Sequence, residues 1–461
     1  MTTAVHPVPV PPATAAGGLP LAGHLLAILR DPLTFFQKQH AVGTEGVVKL
    51  RLGPKPVHLV TRADLVRRLL ADPVAFDKGG AFIDSAKALV GNAVGTCPTV
   101  DHRTQRPMLQ PAFHHRRIVE YSRVMQRCAA ALAGSWQDGQ YVELVDVLHR
   151  LAARVAARTL FSGPGAAHAA EEIQRHFPAM LAGLHRRMFI PVDWVHRAPV
   201  PVNAAFDAAL HGIQRTVEGE IRAYRAEEAG GADRGDLLSA MMRARDPYTG
   251  VRLTDAELKD QVISMLMGAI ETTGSTAAWL LHHLAGEPQA EETVLAELRR
   301  AVGERGVRAE DLRGMGALKQ CLTEVLRLYP PFWLLSRVAT RPVELGGYLV
   351  PAGADVLFSP YCLQRDPGVF ADPDRFDPWR WDPDRVTPAQ KESQLPFGTG
   401  SRKCLGDVFG ATEISLIVAT VLQRWQIGPA TGLRVVPVVK GTMRPSLMPM
   451  VVRRREEAYA R

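Results

Sequence analysis

Val48, Leu50 and Leu52 alternate with Val47, Lys49 and Arg51, the period-two pattern of a half-buried strand. Gly53-Pro54-Lys55 then turns the chain and the mostly apolar run Val57–Val60 follows, so a β-hairpin is predicted. Between Thr61 and Cys321 apolar residues recur mostly at helical spacing. Breaks fall at Gly163-Pro164-Gly165, between Pro199 and Pro201, and at 230–235. Thr254-Asp-Ala-Glu257 is a capping box, in which the two side chains satisfy each other's backbone N–H, and it opens a long helix predicted to reach Gly286. Short strands are predicted at 337–340, 343–349 (split by Gly346-Gly347) and 354–358. Residues 366–390, rich in Asp, Pro, Arg and Trp, read as a loop, and 408–422 as one more apolar helix. No internal repeat and no linker divides the chain. The expectation is a flexible Pro-rich tail over residues 1–16 and one domain over 17–461, mainly α with a minor β part.

Composition adds boundaries. With 461 residues, 46% hydrophobic and 22% charged, the chain can build a large core. Net charge is +8, and only ten of the 55 basic residues are Lys. No run of five like charges occurs, which argues against a nucleic-acid tail and leaves open a basic face for an acidic protein. Residues 1–29 carry no Lys, Arg, Asp or Glu, but prolines at 7, 9, 11, 12 and 20 interrupt them. No apolar run approaches the roughly 20 residues of a membrane span, so no membrane anchor is expected. The five cysteines are odd in number, widely spaced and lack any C-x-x-C. That favours a reducing, cytoplasmic setting over a disulfide framework or a zinc site.

One cysteine stands apart. Pro396-Phe-Gly-Thr-Gly-Ser-Arg-Lys-Cys404-Leu-Gly-Asp407 matches F-x-x-G-x-R-x-C-x-G at Phe397, Gly400, Arg402, Cys404 and Gly406. A lone cysteine is more often buried and inert. This run, however, resembles the haem-ligand loop of the cytochrome P450 family of haem-thiolate monooxygenases. The resemblance implies haem b with its iron held by the Cys404 thiolate. Gly400 and Gly406 would allow tight turns close to the porphyrin. Phe397 would shield the sulfur, and Arg402 would reach a propionate.

Other segments agree with that likeness. Gly268-Ala-Ile-Glu271-Thr272-Thr273 lies within the long helix and resembles the family's oxygen-binding motif, with Ala269 where Gly is usual. Gly268 and Thr272 are four apart and share a face. The Thr272 hydroxyl could capture the Gly268 carbonyl in place of a helix N–H, opening a groove for O2, with Glu271 as a proton relay. Taken alone, a mid-helix Thr beside Glu is more often structural. Glu324-Val-Leu-Arg327 matches E-x-x-R and Pro373-Asp-Arg375-Phe resembles a later motif. The family positions matching Glu324, Arg327 and Arg375 form a buried salt-bridge network. His102 and Arg106, with Arg337, match positions that grip haem propionates; Pro107 is expected to shorten the helix carrying the first two. His102 alone also reads as a solvated surface histidine.

The resemblance covers residues 17 to about 455 and looks nearest to soluble bacterial members that oxidise sesquiterpenes. It implies hydroxylation of an apolar small molecule with O2. No G-x-G-x-x-G follows a strand, so a ferredoxin and its reductase would supply electrons to a monomeric enzyme. Met265, Phe332, Trp333, Leu334, Leu335, Met180 and Leu184, with Met267 and Met188, are the candidate apolar pocket residues, although such residues are also ordinary core. A peroxide-driven peroxygenase or isomerase, a fatty-acid or polyketide hydroxylase, and a haem-binding sensor stay open as alternatives.

Overall fold

A computed structural model describes residues 12–189, 193–227, 234–303 and 305–455. Its contacts divide it into two compact units, each assembled from three stretches of chain. The first comprises the residues up to Asp84, Phe332–Asp374 and Thr387–Cys404. The second comprises Ser85–Pro331, Arg375–Val386 and Leu405–Arg461.

In the first unit the hairpin forms as its alternation predicts. Val47–Leu52 pairs with Lys55–Val60 through the Gly53-Pro54 turn, with Leu52 opposite Lys55. Lys55–Val60 runs parallel to Asp355–Phe358, which pairs antiparallel with Leu335–Ala339, which in turn pairs with Phe76–Asp77. On the other edge Ala13–Thr14 lies parallel to Val48 and Lys49, so the sheet begins inside the segment expected to be a free tail. Only residues 1–11 of that tail lie outside the described residues. The helix Ala63–Ala71 covers one face, where Leu65, Val66, Leu69 and Leu70 bury against Val60, Ala339, Val356 and Phe358.

The second unit is mostly helical. The capping box is present, with the Thr254 and Glu257 side chains each bonded to the other's backbone N–H, and the helix Asp255–Gly286 follows it. Leu144–Leu160 packs along it, Ala166–Phe189 pairs with Pro201–Glu227, and His115–Ser135 with Asp407–Arg424. Two small sheets complete this unit: Trp425–Pro429, Pro449–Arg454 and Gln140–Glu143 in one, and the hairpin Pro437–Lys440 with Thr442–Pro445 in the other. These strands, like Phe76–Asp77, carry no clear alternation and were not predicted. Among the described residues no helix is long and apolar enough to cross a membrane.

Candidate active site

In the first unit the cysteine run folds into a turn of glycines. Gly398 (φ +66°) donates to the Leu395 carbonyl at 3.1 Å, and the Lys403 N–H reaches Gly400 at 3.1 Å. The Cys404 N–H bonds back to the Phe397 carbonyl at 2.8 Å. At Gly400 (φ +71°) a Cβ would lie 2.6 Å from the Leu70 carbonyl oxygen, so only glycine lets the loop press on the helix Ala63–Ala71. Cys404 emerges exposed, whereas Cys97, Cys128, Cys321 and Cys362 are buried. Burial pushes the thiols of Cys321 and Cys362 up to about 12 and raises that of Cys128. A thiolate ligand must be ionised, and desolvation opposes that at these buried positions.

Near this loop, in the same unit, the Arg402 guanidinium bonds to Asp77 at 3.2 Å with its side chain 3% exposed. Arg337 is equally deep and donates to the Ser336 carbonyl at 2.7 Å. Burial, then the charge of Arg402, lowers the Arg337 pKa to about 10, against the attraction of Asp77. Two buried guanidiniums crowding one carboxylate are what a bound dicarboxylate would relieve, so this donor set fits haem propionates.

The second unit holds His102 and Arg106 one turn apart on the helix Thr99–Leu109. His102 is buried rather than a solvated surface residue, and Arg106 donates to Gln110 Oε1 at 2.8 Å. Pro107 does not shorten this helix. It lies inside the last turn, after which the Gln110 N–H still bonds to the Arg106 carbonyl. The cost is local, since Pro107 leaves only the Arg103 carbonyl without its helical donor.

On the long helix Met265, Gly268, Ala269 and Thr272 keep accessible surface, while Leu266, Ile270, Glu271 and Thr273 are buried. The first four lie at i, i+3, i+4 and i+7, so they form one open stripe. A Cβ on Gly268 would meet nothing within 4 Å. The Thr272 hydroxyl donates to the Gly268 carbonyl at 2.5 Å, as its spacing implied, yet the segment remains α-helical throughout. Glu271 turns inward. Its Oε2 accepts from the Thr442 hydroxyl, and its charge opposes the burial that lowers the pKa of His149. His149 Nε2 lies 3.0 Å from the Ser275 hydroxyl. A Cβ on Gly274 would stand 3.0 Å from the His149 backbone, so this glycine sets the close approach of Leu144–Leu160. Thr442 and His149 have no local sequence signal, because only tertiary packing brings them to Glu271.

The buried ion network contains a correction. Glu324 and Arg327 are fully buried and doubly bonded, at 2.8 and 2.9 Å. The second cation on Glu324 is Arg380 at 3.0 Å, not Arg375. The Asp377 N–H and Trp381 Nε1 add bonds of 3.0 and 2.8 Å. Arg375 is exposed and offers only its backbone carbonyl, to Arg327. The reason is a 3-10 turn, Pro378–Trp381, capped by Asp377, which swings Arg380 and Trp381 inward. Phe376-Asp-Pro378-Trp-Arg380-Trp381 was the overlooked signal.

The apolar pocket candidates differ in their surroundings. Trp333 sits edge-on to Phe36 at 5.7 Å, and its carbonyl accepts from the Ser359 hydroxyl at 2.6 Å, so it belongs to the core of the first unit. Phe332 is exposed, and Leu335 leans on that core. Met180 and Leu184 are buried within the helix Ala166–Phe189. Leu334, Met265 and Met267 remain half-buried. The side chain of Met188 lies outside the described residues.

Comparison with known proteins places these features in a family. The family model for cytochrome P450 matches residues 12–450. Cyclooctatin synthase of Streptomyces melanosporofaciens is 41% identical over 92% of this chain and 91% of its own. Cyclooctat-9-en-7-ol 5-monooxygenase of the same organism is 42% identical over 91% and 90%. Pentalenene oxygenase of Streptomyces avermitilis is 36% identical over 93% and 94%. A crystal structure of a cytochrome P450DA haem domain superposes with a TM-score of 0.85 at 24% identity, covering 97% of this chain and 99% of that one. With residues 12–450 matched and relatives above 40% identity across nearly its whole length, this chain belongs to the cytochrome P450 family of haem-thiolate monooxygenases.

Proposed function

We propose that this enzyme hydroxylates a cyclic terpene, of sesquiterpene size, in secondary metabolism. The observation carrying this reading is the likeness, over nine-tenths of the chain, to relatives named for pentalenene and cyclooctat-9-en-7-ol. The open stripe on the long helix is in keeping with it, since Met265, Gly268 and Ala269 offer no charge to a substrate. An apolar wall holds a hydrocarbon by shape, with few directional bonds. Cyclic sesquiterpene hydrocarbons should therefore move the ferric Soret band from low to high spin, and long-chain fatty acids should not. A screen in which fatty acids gave the tightest shift and the hydrocarbons none would overturn the substrate class alone.

Cys404 would hold the haem iron through its thiolate, Arg337, Arg402, His102 and Arg106 would bind the propionates, and Phe397 would shield the sulfur. Bound there, haem supplies O2 binding and O–O cleavage chemistry. Thr272 would hold a proton donor at the Gly268 groove, its hydroxyl already oriented by that carbonyl. Glu271 would carry protons at its carboxylate, shielded from bulk water by burial. Thr272→Ala should keep haem and substrate binding while diverting most reducing equivalents to peroxide. Coupling equal to wild type would remove Thr272 from the proton path and revive the peroxide-driven alternative.

We read the electron donor as an acidic ferredoxin served by its reductase, acting on a monomeric, cytoplasmic enzyme. His114, Arg116 and Arg117 line an open groove of about 590 Å³ with Pro107, Gln110 and Pro111. Arg103 lies on the helix Thr99–Leu109, and Arg116 and Arg117 on the next helix, His115–Ser135. Lys403 is exposed in the first unit. Arg116→Glu and Lys403→Glu should each slow first-electron transfer at low salt and flatten its salt dependence, leaving substrate affinity unchanged. Stopped-flow reduction rates unaltered in both would remove this docking face.

A further inference from the structure

Asp355–Phe358 lies inside the sheet of the first unit, between Lys55–Val60 and Leu335–Ala339. Ser359 follows it and caps one short helical turn, Pro360–Leu363, its hydroxyl accepting from the Cys362 N–H at 3.3 Å. The Gln364 N–H closes that turn on the Pro360 carbonyl at 2.9 Å, so this residue is rooted in the sheet. Gln364 is 0% exposed, and its Oε1 accepts from the Leu395 N–H at 2.7 Å, across 31 residues of chain. Leu363 and Leu395 both belong to the apolar core of this unit. In such surroundings an N–H without an acceptor is costly, so the amide of Gln364 has a defined task.

Leu395 opens the cysteine run. Its carbonyl accepts from the Gly398 N–H at 3.1 Å, and the Phe397 carbonyl accepts from the Cys404 N–H at 2.8 Å. Gln364 therefore holds the first of a short series of backbone bonds, and the last of them fixes Cys404. The helix Ala63–Ala71 grips the same run elsewhere. Arg67 donates to the Glu392 and Lys391 carbonyls at 2.7 and 3.0 Å, and Gly400 lies against the Leu70 carbonyl. All of these residues lie within the first unit. We propose that Gln364 is a positioning residue for the Cys404 sulfur, tying the start of its loop to the middle of the sheet. The proposal rests on the reading that this sulfur binds the haem iron. Without the amide acceptor, the Leu395 N–H is left unpaired in the core. The loop then relaxes, and the sulfur loses the fixed place from which a thiolate can hold the metal.

The test compares haem-loaded wild type with two variants. Gln364→Met keeps the length and apolar volume of the side chain but removes the oxygen. Gln364→Glu keeps an oxygen that can accept the same N–H. Gln364→Met should lose most of the red-shifted Soret band of the ferrous–CO complex to the unshifted form, and change the g-values of the low-spin ferric iron. Gln364→Glu should retain the wild-type band. A role confined to stability would leave both spectra of the folded, loaded protein unchanged. Hydrogen exchange at the Leu395 amide should be roughly five- to tenfold faster in Gln364→Met, the loss of one net hydrogen bond. Unaltered band and g-values in loaded Gln364→Met overturn the proposal. So does a Gln364→Glu band as depleted as that of Gln364→Met, since the acceptor would then be irrelevant. Should neither variant fold, a Leu395 amide exchanging in wild type as fast as an unbonded loop amide overturns it as well. Absence of the shifted band in wild type counts instead against Cys404 as the ligand, which keeps the two failures apart.

Discussion

Cys404→Ala should abolish the red-shifted Soret band of the ferrous–CO complex, whereas Ala at Cys97, Cys128, Cys321 or Cys362 should leave it intact. The difference lies in ionisation. Cys404 leaves a glycine turn exposed, with its backbone N–H anchored on Phe397. The other four are buried, and desolvation pushes Cys321 and Cys362 up to about 12, so at neutral pH these two are thiols. A thiol cannot give the electron donation that produces the shifted band. The expected effect is complete loss against no change, read by one difference spectrum per variant. Loss of the band in any of the four buried-cysteine variants, with haem still bound, would refute the assignment of Cys404.

The second large effect concerns the ion network. Arg380→Ala should lower stability by about 3–5 kcal/mol, because it removes one of the two cations paired with the fully buried Glu324 and leaves its Oε1 short of a partner. Against a typical native stability of about 5–15 kcal/mol, that is enough to compromise folding at growth temperature. Arg375→Ala should change stability by about 0.5 kcal/mol or less, since its side chain is exposed and its contact with the network is made by the backbone carbonyl, which Ala keeps. Urea unfolding midpoints, with the denaturant slope checked for constancy, compare the two directly. Equal losses would mean that Arg375 shares the buried charge after all. Should Arg380→Ala not fold at all, Trp381→Phe removes one neutral bond to Glu324 and should cost about 1–3 kcal/mol.

Local signals and long-range contacts divide the rest. The capping box, the Gly53-Pro54 hairpin and the turn of glycines before Cys404 are each set by neighbours within a few residues, so their residue types alone predict them. The Thr272–Gly268 bond belongs with these, since four residues on a helix always meet. The strands after Arg424 gave no such warning. Pro449–Arg454 is flanked by Trp425–Pro429 on one side and Gln140–Glu143 on the other, and pairing with the latter across some 300 residues leaves no local trace.

Site residues follow the same rule. The sequence by itself determined the family, the glycine turn around Cys404 and the long helix carrying Thr272, because each is held in a short contiguous run. Tertiary structure alone decided that Arg380 and not Arg375 meets Glu324, since the choice depends on a single 3-10 turn. It also decided how deeply Trp333, Met180 and Leu184 are buried, since hydrophobicity favours burial and only packing says against what. Glu271 meets Thr442 and His149 for the same reason, as helix and hairpin bring together side chains more than a hundred residues apart in sequence.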